Sequence, residues 1–158
     1  MTFQPYLWAL NKDLSRAKDL APRRIILLVE DEPFVREATC GILESAGFEV
    51  LPAEDAPQAL KIYDECQQTD CPQKIALVMT DMMLPSGTGQ RLGQDLRQRS
   101  PKVIVLITSG YPNPDFETES LETHLYFLPK PYSKRTLCEK IEQILAPTPL
   151  AHIAKQAS

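Results

Sequence analysis

The sequence predicts a doubly wound α/β fold built from five βα units, and three observations predict it. Short β-rich apolar runs alternate along the chain with amphipathic stretches of helical period, as in a parallel sheet covered by helices. Three of those runs, residues 24–29, 75–80 and 102–107, are nearly continuously apolar, which suits central strands buried on both faces. The length of 158 residues accommodates one such domain with short extensions and no second domain of ordinary size.

Taken in order, the elements are these. In residues 1–22, Leu7, Leu10, Leu14 and Ala17 fall on one face of a helix starting near Pro5. Docking of this extension and fraying as a leader are both compatible with that pattern. The first strand, 24–29, is followed by a helix over 33–46. Pro33 fits its first turn, Val35, Ala38, Thr39, Ile42 and Leu43 form its apolar face, and Gly47 is placed as a left-handed stop. A strand over 48–51 leads to a helix over 56–66 that carries Ala59, Leu60, Ile62 and Tyr63, with Pro57 in its first turn. The third strand, 75–80, precedes a helix over 89–99 with Leu92 and Leu96 inward, ended by Ser100 and Pro101. After the fourth strand, 102–107, residues 111–122 hold Pro112 and Pro114 and several acids, so any helix there is short. The fifth strand, 124–128, alternates Leu125 and Phe127 against Tyr126 and Leu128, as an edge strand does. Ser133 is placed to cap a last helix to residue 145, which buries Leu137, Ile141 and Leu145. The domain thus spans 23–146, and 147–158 is a tail with two prolines and a polar end.

Composition excludes several classes. Hydrophobic residues make up 43% and charged residues 24%, ordinary for a globular protein. A net charge of −4 and a pI near 5.2 argue against direct binding to DNA or RNA. The longest apolar runs, such as Ile25–Val29, are far too short to span a bilayer. Residues 3–10 lack the basic start of a secretory signal, so the expectation is a cytoplasmic protein with no membrane insertion. Cys66 and Cys71 have the loose spacing of a zinc half-site, but no second pair accompanies them. Cys40 and Cys138 fall in helices, and His124 and His152 form no cluster with any of the four.

The chemistry gathers at the strand ends. In a parallel α/β sheet, ligands bind at the carboxyl ends of the strands, where strand order reverses. Glu30 and Asp31 follow the first strand, and Asp81 follows the third. Thr108, Ser109 and Gly110 follow the fourth, and Pro129, Lys130 and Pro131 follow the fifth. Carboxylates brought together repel one another unless a cation compensates. Hard oxygen donors with room for water suit Mg²⁺, and Lys130 offers a second positive charge. Metal, ammonium and hydroxyl around one carboxylate make a nest for a phosphoryl group, with Asp81 as nucleophile. Each residue alone has an ordinary reading: helix N-terminal acids for Glu30 and Asp31, a turn for Asp81, a cap for Ser109, a solvated lysine for Lys130. Together they do not.

In this order and at these strand ends, the sequence resembles the receiver domain of two-component response regulators over about residues 24–145. The matching pieces are Leu28-Val29-Glu30-Asp31-Glu32, Asp81-Met82-Met83-Leu84-Pro85-Ser86-Gly87-Thr88-Gly89, Thr108-Ser109-Gly110 and Phe127-Leu128-Pro129-Lys130-Pro131. The resemblance implies a flavodoxin-like sheet of strand order 2-1-3-4-5. It implies Asp81 as the phospho-acceptor, and Mg²⁺ held by Asp31 directly, Glu30 mostly through water, Asp81, and the Met83 backbone carbonyl. Ser109 and Lys130 would contact the phosphoryl group, Phe127 would be the switch aromatic, and the bond before Pro131 would be cis. It implies a histidine kinase or histidine phosphotransfer protein as donor and no enzymatic turnover of a separate substrate. With thirteen residues after Leu145, output is expected through a downstream protein target or onward relay, without direct DNA binding.

This chain departs from the family's commonest pattern in places. The acidic pair is Glu-Asp, the switch aromatic is Phe rather than Tyr, and the connection between Cys66 and Lys74 is a few residues longer. Ser109-Gly110-Tyr111 and Lys130-Pro131-Tyr132 look most like receivers fused to hybrid histidine kinases. Other classes fit less well. An aspartyl-phosphate phosphatase of the haloacid-dehalogenase type needs a second Asp where Met83 stands. A flavodoxin-like nucleotide binder needs a glycine loop where Glu30-Asp31-Glu32-Pro33 stand. A receiver-like module that binds partners without phosphorylation is the alternative of another kind.

Overall fold

Five parallel strands, β1 (Ile25–Val29), β2 (Glu49–Ala53), β3 (Ile75–Asp81), β4 (Val105–Ser109) and β5 (Leu125–Pro129), form one sheet in the order β2-β1-β3-β4-β5. The structure is a computed structural model and describes residues 23–68, 74–111 and 124–146. The helix expected from near Pro5, with Leu7, Leu10, Leu14 and Ala17 on its face, lies outside the described residues, as do Cys71, residues 112–123, His152 and the tail.

Among the described residues four helices cover the sheet: α1 (Pro33–Ser45), α2 (Ala56–Gln68), α3 (Gly89–Arg99) and α4 (Lys134–Leu145). Side chains alternate across each strand, so the sheet divides the core in two. On one face Leu27, Val29, Val78, Val105 and Ile107 pack under Ala59, Tyr63 and Cys66 of α2 and Leu92 and Leu96 of α3. On the other, Ile26, Leu28, Leu77, Met79 and Leu106 pack under Leu43 of α1 and Leu137 and Ile141 of α4. β5 splits as its alternation predicts, with Leu125 and Phe127 against the first cluster and Tyr126 and Leu128 in the second. The two strand prolines, Pro52 in β2 and Pro129 in β5, stand on the edge strands, where a missing N–H leaves no ladder bond unmade.

Local signals explain most boundaries. Pro33 opens α1, and Gly47 ends it at φ +95°, with its N–H donating to the Glu44 carbonyl at 3.0 Å. Ser133 caps α4 by accepting from the Thr136 N–H at 3.0 Å, and Thr88 does the same for α3 from Arg91 at 3.1 Å. Two expectations need correction. The fourth strand runs Val105–Ser109 rather than 102–107, because the chain first turns at Ser100–Val103, where the Val103 N–H donates to the Ser100 carbonyl at 3.1 Å. On α1 the buried line is Thr39 and Leu43, while Val35 and Ala38 are exposed. Val35 shares that line but sits in the first turn, and Ala38 lies to its side. Among the described residues, no helix is long and apolar enough to cross a membrane. Cys40, Cys66 and Cys138 form no disulfide among the described residues.

Candidate functional site

Strand order reverses between β1 and β3, and the carboxyl ends of these two strands bring the acids together. Glu30 and Asp31 come directly after β1, and Asp81 is the last residue of β3. One carboxylate oxygen from each lies within 4.8 Å of the others. Ser109 ends β4, and Lys130 directly follows β5 and is joined to Pro131 by a cis peptide bond. The sheet thus delivers four separate segments to one edge because all five strands point the same way.

Lys130 is the compensating cation. Its Nζ donates to Asp81 Oδ2 at 3.1 Å and stands 3.8 Å from Glu30 Oε2. The Asp81 side chain keeps 21% exposure, enough for an incoming group to reach it, while the Glu30 side chain keeps only 8%. Burial pushes the Glu30 carboxyl above its ordinary value. The Glu32 N–H, which donates to Glu30 Oε1 at 3.2 Å, and the Lys130 charge oppose that push without cancelling it, and Asp81 and Asp31 add to it. The Ser109 hydroxyl faces the next loop. It accepts from the Tyr111 N–H at 3.2 Å and donates to the Tyr111 carbonyl at 3.3 Å. Phe127 is half-buried opposite Ile107, packed against the core cluster under α2 and α3. Met83 begins a small hairpin of Met83–Leu84 with Gly87–Thr88, and its side chain is exposed.

The donor set fits a small hard cation. Oxygens on one octahedral Mg²⁺ lie at most about 4.2 Å apart, so the three carboxylates need only a slight contraction, or one water in place of a direct bond. No sulfur or imidazole stands among them.

Two neighbouring residues escaped the sequence reading. Arg36 Nη1 donates to the Glu30 carbonyl at 2.6 Å and to the Asp31 carbonyl at 3.2 Å. Its one signal is position: a long donor on the first turn of α1 can reach back to the loop before it. Gly89 packs directly behind Asp81, where a Cβ would lie 3.0 Å from Thr80 Cγ2 and 3.2 Å from the Asp81 carbonyl carbon. It stands inside a matching motif, but only the packing shows why.

The raised Glu30 pKa has a measurable consequence. An acid whose folded pKa lies above its unfolded one supplies stability that is present at low pH and lost as pH rises through the folded value. Ionised Glu30 therefore costs stability at neutral pH while no cation is bound. In chelator at neutral pH, Glu30→Gln is expected to melt above the wild type, and the gain should shrink in acid below the ordinary carboxylate range. Thermal melts at the two pH values check this, and a lower melting temperature for the variant at neutral pH contradicts it.

The profile of the response regulator receiver domain matches residues 26–142. The sensor kinase CckA of Brucella abortus is 30% identical over 138 residues, covering 87% of this chain and 14% of that protein. The phosphate regulon transcriptional regulatory protein PhoB of Escherichia coli is 32% identical over 126 residues, covering 77% of this chain and 52% of that protein. The chain thus spans about half or less of the length of these two relatives. The crystal structure of the receiver domain from the hybrid histidine kinase CckA superposes with a TM-score of 0.64 at 35% identity, covering 77% of this chain and 99% of that one.

Proposed function

The chain belongs to the response regulator receiver family, and from that premise we propose that it is a signalling switch that takes a phosphoryl group onto Asp81. The observation that carries this reading is the position of the Asp81 carboxylate, exposed to solvent on one side. Lys130 stands on it at 3.1 Å, and Glu30 and Asp31 beside it complete an acidic cluster. In the reaction, an Asp81 carboxylate oxygen bonds to phosphorus as the bond from phosphorus to the donor's imidazole nitrogen breaks. The nitrogen keeps the electron pair and takes a proton from solvent, and an aspartyl phosphate results.

The chain's residues divide the work. Asp81 is the nucleophile, and Lys130 holds its carboxylate oriented and then pairs with the phosphoryl oxygens. Asp31 and Asp81 would hold Mg²⁺ directly, with Glu30 acting through water and the Met83 carbonyl as a further ligand. When bound, Mg²⁺ supplies neutralisation of the charge on the phosphoryl oxygens. Ser109 would leave the Tyr111 backbone and turn to the phosphoryl group, and Phe127 would respond by packing further inward. The two arrangements need differ by only a few kcal/mol for phosphorylation to shift their populations. The protein acts in the cytoplasm, its donor is a histidine kinase or histidine phosphotransfer protein, and output passes by contact with a protein target or by onward transfer. Peptide mapping after treatment with a small phosphodonor tests the reading. The adduct is expected on the peptide containing Asp81, and an adduct confined to another peptide would overturn it.

The phosphorylated form should be long-lived. Met83 and Tyr111, 63% and 80% exposed, stand two residues past Asp81 and Ser109. Neither carries a carboxylate or amide to polarise an attacking water. A half-life of minutes or longer is expected from the decay of the adduct after donor removal, and decay within seconds contradicts it.

A further inference from the structure

We propose that Arg36 is a positioning residue that aims the Glu30–Asp31 acid pair at a bound divalent cation. This rests on the reading that the acidic cluster holds such a cation. The Glu30 and Asp31 carbonyls lie between the end of β1 and the start of α1, so they belong to neither the sheet ladder nor the helix ladder. Arg36 Nη1 donates to both, at 2.6 and 3.2 Å. The base of that side chain is itself fixed, since the Arg36 N–H donates to the Glu32 carbonyl at 2.9 Å. With both carbonyls held, the backbone planes of the two acids are set, and so are the directions in which their side chains leave the chain. The Glu30 carboxylate is then pinned by the Glu32 N–H at 3.2 Å.

The guanidinium is not the counter-charge of the site. The ion pairs to Glu30 and Asp81 are made by Lys130, while Arg36 bonds carbonyl oxygens. Its contribution is therefore to order the ligands before the cation arrives, which removes that cost from binding. A role as simple counter-charge predicts the opposite sign, because deleting a cation beside three acids would tighten Mg²⁺ binding.

Calorimetric titration of the full chain with Mg²⁺ distinguishes these, comparing wild type, Arg36→Met and Arg36→Lys, with thermal melts in chelator for each. Arg36→Met is expected to weaken Mg²⁺ about 10-fold or more, the scale for groups that orient metal ligands, and Arg36→Lys should regain most of that. If Arg36→Met does not fold, Arg36→Gln, whose neutral donor is too short to bridge the carbonyls, should show the same loss. Unchanged or tighter Mg²⁺ binding in the folded variant overturns the proposal, even if its melting temperature falls. So does a defect seen only with a protein phosphodonor, which would make Arg36 a docking residue. A wild type that binds no Mg²⁺ overturns the reading of the cluster, and this inference with it.

Discussion

Lys130→Met is expected to slow phosphoryl uptake from a small phosphodonor by about 100-fold or more, the scale seen when one charge-stabilising donor is removed from a reacting oxyanion. Burial works against the Lys130 ammonium. The hydrogen bond and charge of Asp81, with the Glu30 and Tyr132 charges, outweigh it and hold the pKa above its ordinary 10.5. A cation with a raised pKa supplies stability that is full below the unfolded value and lost as pH rises through the folded one, so the pair persists until strongly alkaline conditions. Without the ammonium, Glu30, Asp31 and Asp81 repel one another uncompensated. Breaking a fully buried pair costs about 3–5 kcal/mol. Lys130 and Asp81 keep 29% and 21% exposure, so about 1–2 kcal/mol is expected here after screening. Added Mg²⁺ should restore more stability to Lys130→Met than to the wild type, since it takes over the missing charge. A time course of intact mass with melts in chelator and Mg²⁺ checks both. An unchanged uptake rate contradicts the role given to Lys130.

Gly89→Ala is expected to lose both stability and phosphorylation. The added Cβ would lie against the Asp81 carbonyl oxygen, well inside contact distance, and 3.0 Å from Thr80 Cγ2. The obstacle is backbone, and the chain cannot swing away freely because the Gly89 N–H donates to the Met82 carbonyl at 2.8 Å. Forced overpacking costs about 1–3 kcal/mol, and any relief moves Asp81, the proposed phospho-acceptor. Gly93→Ala is the control. Its Cβ would meet Val105 Cγ1 and Leu125 Cδ1 at 3.8 and 3.9 Å, ordinary contacts, and alanine favours a helix. Urea unfolding should separate the two variants clearly, and equal midpoints would contradict the close-approach account.

The α/β class was legible because burial on both faces writes strands such as Ile25–Val29 as unbroken apolar runs. The cluster of Glu30, Asp31, Asp81 and Lys130 was legible for a related reason: a parallel sheet sends the residue after every strand to one edge. The same logic misplaced β4, whose last residues Thr108 and Ser109 are polar yet buried and paired in the sheet. Polarity marks a strand's end only where water reaches it. The bonds of Arg36 to the Glu30 and Asp31 carbonyls, and of Ser109 to Tyr111, engage backbone groups, which every residue carries and no residue type announces. Gly89 is required by an approach between two segments, visible only once they are packed.

The central claim is that Asp81 is the phospho-acceptor and that a divalent cation is needed for it to act. Intact mass after incubation with acetyl phosphate tests it most directly, with wild type and Asp81→Asn each treated in Mg²⁺ and in chelator. A single phosphoryl adduct is predicted for the wild type in Mg²⁺ alone, and none in the other three samples. No adduct on folded wild type, or one that survives in Asp81→Asn, would contradict it.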